Sequence, residues 1–80
     1  MSSSVTRPMH ALATEVWFDN GMMYVRLVDG REVGAPLEWF PSLREASESQ
    51  RSNWRLIGDG TGIHWEDVDE DISVIGLLET

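Results

Sequence analysis

The 80-residue sequence contains no cysteine and no lysine, and no apolar run that approaches the length of a membrane span. Without cysteine there is no disulfide framework and no thiolate zinc site, and two histidines are too few for a structural zinc centre of their own. The six cationic residues are all arginine and stand against fourteen carboxylates, for a net charge of −8. The missing lysine reads as compositional bias rather than mechanism. So acidic a chain repels a phosphate backbone, so direct nucleic-acid binding is not expected, while a basic protein partner is favoured by charge. No membrane partner is expected either. Residues 1–9 carry one arginine and no apolar core, which predicts a cytoplasmic rather than an exported protein.

What the sequence does have is aromatic side chains. Trp17, Trp39, Trp54 and Trp65, with Phe18, Phe40 and Tyr24, supply much apolar area per residue, which a core of this size needs. The length sets one domain, expected over residues 10–80 after a flexible N-terminal tail at 1–9. So small a core also makes a homodimer a reasonable way to gain burial.

The clearest local signal is a hairpin. Asn20-Gly21 supplies the two positive-φ positions of a type I′ turn, and that turn sets the register. Phe18 then faces Met23, Trp17 faces Tyr24, Val16 faces Val25, Glu15 faces Arg26 and Thr14 faces Leu27. One face is apolar (Thr14, Val16, Phe18, Met23, Val25, Leu27), and the other pairs Glu15 with Arg26 and Trp17 with Tyr24. A three-residue loop at 28–30, with Gly30 left-handed, brings Val33 opposite Val25 and Glu32 opposite Arg26. Pro36 ends that strand, and Leu37–Phe40 reads as one helical turn stopped before Pro41.

Residues 42–54 read as helix, with a break signalled by the capping box Ser47-x-x-Gln50 and a shared face of Leu43, Ala46, Gln50 and Trp54. Leu56-Ile57 is a short apolar stub, 63–65 a short extended segment, and Ser73 caps a last helix over 73–79. The expected fold class is α+β: a three- to four-stranded antiparallel β-meander (about 11–18, 22–28, 31–35 and a short fourth strand near 63–65) with two short helices on one face. Trp39, Trp54 and Trp65 are expected in the core.

Several strings recur together: PLEWFPSL at 36–43, QRSNWRLIG at 50–58, GIHW at 62–65, DEDISV at 69–74 and GLL at 76–78, with the hairpin tip FDNG at 18–21. In that order they resemble the bacterial domain-of-unknown-function 2442 family over about residues 10–78. The resemblance implies a small α+β domain with no established activity, some relatives carrying a helix-turn-helix DNA-binding domain and others resembling antitoxins. A chain ending at Thr80 is expected to lack the DNA-binding addition, which argues against direct DNA contact.

Glu66, Asp67, Asp69, Glu70 and Asp71, joined by Asp59, make the last third strongly acidic, with no arginine after Arg55. Asp67, Asp69 and Asp71 mimic the start of a calcium loop, but Ile72 and Leu78 occupy its glycine and glutamate positions. His64 with Asp67 or Asp69 has the right donors for a divalent ion but no fixed geometry. Charge complementing the dipole of the last helix is the plain alternative, and it accounts for only part of the cluster. Gly58-x-Gly60-x-Gly62 is not followed by a helix and carries Asp59, so it reads as a sharp loop rather than a phosphate cradle. His64 has only Asp71 and Ser73 near it in sequence as catalytic company, so a structural role is favoured. Trp17 and Tyr24 are either covered by the C-terminal segment or form a binding patch.

The leading expectation is therefore a non-enzymatic acidic interaction domain, without cofactor, that binds and neutralises or regulates a basic protein in the manner of an antitoxin or a nucleic-acid-mimicking inhibitor. Its surface would comprise Asp59, Glu66, Asp67, Asp69, Glu70, Asp71, Trp17 and Tyr24. The alternatives are a ligand-sensing module that works with a separate DNA-binding protein, and a small metal-dependent enzyme centred on His64.

Overall fold

The computed structural model describes residues 11–78; the tail expected at 1–9 and the end of the last predicted helix lie outside them. The chain forms β1 (Ala13–Asp19), β2 (Met22–Leu27) and β3 (Glu32–Pro36), then a 3-10 turn at Leu37–Trp39. Helices α1 (Pro41–Arg44) and α2 (Glu48–Ser52) lead into β4 (Trp54–Ile57), β5 (Gly62–Trp65), β6 (Glu70–Ser73) and α3 (Val74–Leu78). Two antiparallel sheets result, ordered β1-β2-β3 and β4-β5-β6.

The first sheet follows from its turns. Asn20 (φ 50°) and Gly21 (φ 76°) form the tip, and pairs 15–26, 16–25, 17–24 and 18–23 fall as the turn requires. At the far end a bulge at Thr14 puts Ala13, not Thr14, opposite Leu27. The bulge turns the threonine hydroxyl out to donate to Arg26 O, and seats the smaller Ala13 in the core. The second turn closes with Gly30 N–H donating to Leu27 O, and Val25–Val33 and Arg26–Glu32 pair as the three-residue loop predicts.

The fourth strand expected near 63–65 exists, but as the centre of a second sheet. Its neighbours are the Leu56-Ile57 stub, extended to β4, and the acidic segment, whose second half is β6. Leu56, Ile63 and Ile72 pair across this sheet on its inner face. The helix expected over 42–54 is two short helices. Ser47 caps α2 through both bonds of the capping box, so α1 and α2 are separated at Ala46. Trp54 leaves the helix for β4, paired with Trp65. Trp65 is fully buried and Trp54 half-buried, but Trp39 is 52% exposed, because the 3-10 turn directs Leu37 inward and Trp39 outward.

One core cluster joins the two sheets, with Trp65, Met23, Leu27, Leu43, Ile63 and Val25 as its largest fully buried members. Burying Trp65 alone contributes roughly 4–6 kcal/mol as an upper bound. α3 starts as expected, with Ser73 Oγ accepting from Gly76 N–H, and packs against β3 and so ties the second sheet to the first. The Gly58–Gly60 turn adds another tie. Gly60 has φ 103° and sits so close to β1 that a Cβ there would lie 2.9 Å from Ala13 O. This is the sharp loop the sequence predicts, and its glycines serve close packing.

Candidate functional site

The acidic segment is the turn between β5 and β6 together with β6 itself. Asp69 takes φ 52° to reverse the chain. Strand alternation then separates the carboxylates: Glu70 points inward and bonds Ser42 of α1, whereas Asp71 points outward beside His64. Asn53 donates to Asp67 at 3.1 Å, and Arg55 reaches Glu66 at 3.4 Å. The sequence places no cation after Arg55, yet β4–β5 pairing brings Arg55 opposite His64 and within reach of Glu66. Asp59 does not join the group. It lies in the turn at the other end of β5, about 13 Å away along a four-residue strand.

His64 is the centre of a cross-strand row Arg55–His64–Asp71 on the outer face of the second sheet. Its Nδ1 meets Asp71, and its Nε2 lies 3.2 Å from Glu66. The Asp71 hydrogen bond, reinforced by both carboxylate charges, raises its pKa above the usual imidazole value, against opposing desolvation and Arg55. With Asp71 at Nδ1 and Glu66 at Nε2, a carboxylate already engages each ring nitrogen, so neither is directed at a metal or a substrate. Among the described residues no three histidine or carboxylate side chains converge as a metal site. Ser73, its catalytic companion by sequence, is occupied as the helix cap.

Trp17 and Tyr24 stack with centroids 5.7 Å apart, and the Arg26 guanidinium lies 5.1 Å from the Trp17 ring centroid. Arg26 is itself held by Glu15 at 3.4 Å and Glu32 at 2.7 Å, which is the cross-strand row the register predicts. Tyr24 also covers Gly34 on β3, where a Cβ would meet its ring at 3.0 Å. The pair is half-buried by these first-sheet neighbours.

A cleft of about 590 Å³ opens where β1, α2 and β4 meet, and nothing in the sequence reading anticipated it. Its walls include Trp17, Phe18, Asp19, Glu48, Arg51 and Trp54. Arg51 organises this corner: its Nε and Nη2 donate to Leu43 O (2.8 Å) and Arg44 O (2.7 Å) at the end of α1. Its guanidinium lies 5.9 Å from the Phe18 ring centroid, and its own carbonyl accepts the buried Trp65 indole N–H at 2.9 Å. The available sequence signal was that β1 begins the meander and so has a free edge. The opposite wall depends on tertiary placement of α2.

No curated protein matches the chain. A crystal structure of a protein of unknown function from Rhodospirillum rubrum, at 2.75 Å resolution, is similar with a TM-score of 0.74. It shares 30% identity, and the match covers 86% of each chain. The family model "Protein of unknown function (DUF2442)" matches residues 13–80, so the chain belongs to that family.

Proposed function

We propose that the domain is a non-enzymatic interaction module that binds and neutralises or regulates a basic protein. The observation that carries this reading is the exposed carboxylate group at the β5–β6 turn. Glu66, Asp67, Asp69 and Asp71 are all solvent-exposed, and Arg55 is the one arginine that pairs with any of them among the described residues. Their excess charge steers a basic partner and favours docking there. Catalysis at His64 is disfavoured because carboxylates occupy both ring nitrogens and, among the described residues, no nucleophile stands against it.

The test is affinity purification with the full chain as bait, beside a variant carrying Asp67→Asn and Asp69→Asn. A basic protein retained at low salt, released as ionic strength rises to about 0.5 M, and lost with the variant is the expected result. Retention indifferent to both salt and the variant would overturn it. The ligand-sensing alternative is favoured by the open cleft beside β1, whose volume falls in the usual range for small-molecule sites.

A further inference from the structure

Among the described residues β1 is an edge strand, paired with β2 alone. The two-residue turn makes Asp19–Met22 the first hydrogen-bonded pair, and the antiparallel ladder then alternates. Trp17–Tyr24 and Glu15–Arg26 are the next bonded pairs, so the N–H and C=O of Val16 and of Phe18 point away from β2. Near Ala13 this edge is closed by Gly60. Toward the hairpin tip it is open: Val16, Trp17, Phe18 and Asp19 all line the cleft, although their side chains alternate between the two sheet faces. Consecutive residues of a strand share one cavity in this way when it runs along the backbone edge.

We propose that the edge of β1 is a strand-addition site for an extended basic segment of the partner protein, which bonds to Val16 and Phe18 and adds a fourth strand to the first sheet. This rests on the partner reading above and gives it a second, geometrically specific contact. Phe18, Leu37 and Trp54 provide apolar wall for side chains on one face of the incoming strand. Asp19 and Glu48 supply the charge complement, since neither forms an ion pair among the described residues. Arg51 stays cationic and offsets one of these two charges, so the cleft keeps an excess of one carboxylate; its Nε and Nη2 are turned to the carbonyls of Leu43 and Arg44. Main-chain bonds would give affinity at such an edge and the flanking groups would give selectivity. A second copy of the chain is the disfavoured occupant, because it would bring another −8 against the same carboxylates.

The test titrates the isotope-labelled full chain with a short peptide of alternating lysine and valine. Two controls accompany it: the glutamate–valine counterpart, and the lysine peptide methylated on every backbone nitrogen. Binding of the lysine peptide should shift the amide resonances of residues 16–19 and 48–54, and slow hydrogen exchange at Val16 and Phe18 by about tenfold or more. Methylation, which keeps charge and side chains but removes the donors, should weaken binding by about tenfold or more, and the glutamate peptide should not bind. In the double variant Asp19→Lys, Glu48→Lys the preference should pass to the glutamate peptide. Shifts confined to residues 66–71 would overturn this site while leaving the partner reading in place. No binding of the lysine peptide at low salt would overturn both. Equal binding of the methylated peptide, or a dimer whose Val16 and Phe18 amides are protected before any peptide is added, would also overturn strand addition.

Discussion

Replacing Arg51 should destabilise the domain far more than its position on a short surface helix suggests. Arg51→Met keeps the apolar stem but removes two charge-assisted bonds, at 2.8 Å to Leu43 O and 2.7 Å to Arg44 O. Such bonds are worth about 1.5–3 kcal/mol each when shielded, and less when exposed. One is partly buried and the other exposed. The cation–π contact with Phe18 adds about 0.5 kcal/mol. The sum is about 2–3 kcal/mol, which for a domain of this size lowers Tm on the order of 10–20 °C. Urea unfolding followed by tryptophan fluorescence measures it, since Trp65 is buried beside the lost contact. Arg51→Lys should recover little, because one ammonium does not reproduce a fork that spans two carbonyls. A loss below about 0.5 kcal/mol, or full recovery by lysine, would refute the role assigned to Arg51.

Three further outcomes are expected. The raised pKa of His64 means that the folded state holds its proton more tightly than the unfolded chain, so its stabilisation is full below the unfolded value of about 6.5 and is lost as pH rises through the folded value. NMR titration should place His64 above that value and Asp71→Asn should lower it; a folded value at or below the unfolded one would sink the account. Gly60→Ala forces a positive φ on alanine and a Cβ 2.9 Å from Ala13 O, so denaturation should show a loss of about 2 kcal/mol or more, and a neutral result would mean that β1 does not pack against this turn. Ser47→Ala removes the reciprocal cap of α2 and should cost about 1 kcal/mol by the same measurement, while an unchanged midpoint would show that α2 is held by packing alone.

The first sheet was legible because its turn chemistry and side-chain sorting agree. Asn20-Gly21 admits one tight geometry, and with it the apolar residues and the Glu15–Arg26–Glu32 row fall on opposite faces. The bulge at Thr14 was not legible, since threonine is acceptable on either face and only the packing of Ala13 decides. The second sheet escaped for a different reason. WRLI, GIHW and EDIS are four-residue strands, too short for alternation to declare itself, and EDIS carries two carboxylates that read as loop. It becomes a strand because Ile72 fills the core opposite Ile63 while Asp71 finds His64. Trp54 was placed on a helix face by its spacing from Gln50, but α2 ends at Ser52 and Asn53 leads into β4.

The acidity shows how a one-dimensional count differs from a surface. Along the chain the carboxylates after Arg55 have no arginine among them; in the fold Glu70 is drawn inward to Ser42, and Glu66 and Asp71 are drawn to Arg55 and His64. Among the described residues, what faces solvent without an ion pair is a smaller set: Asp67 and Asp69 at the β5–β6 turn, Asp59 in the turn before β5, and Asp19 and Glu48 beside the open edge of β1. Charge of that kind accelerates encounter with a basic protein but discriminates poorly among basic proteins, because it acts over a Debye length and tolerates many orientations. Backbone groups at Val16 and Phe18 act only at hydrogen-bond distance and in one register. On the proposed reading the two are complementary: the carboxylates set how fast a partner arrives, and the β1 edge sets which extended segment stays.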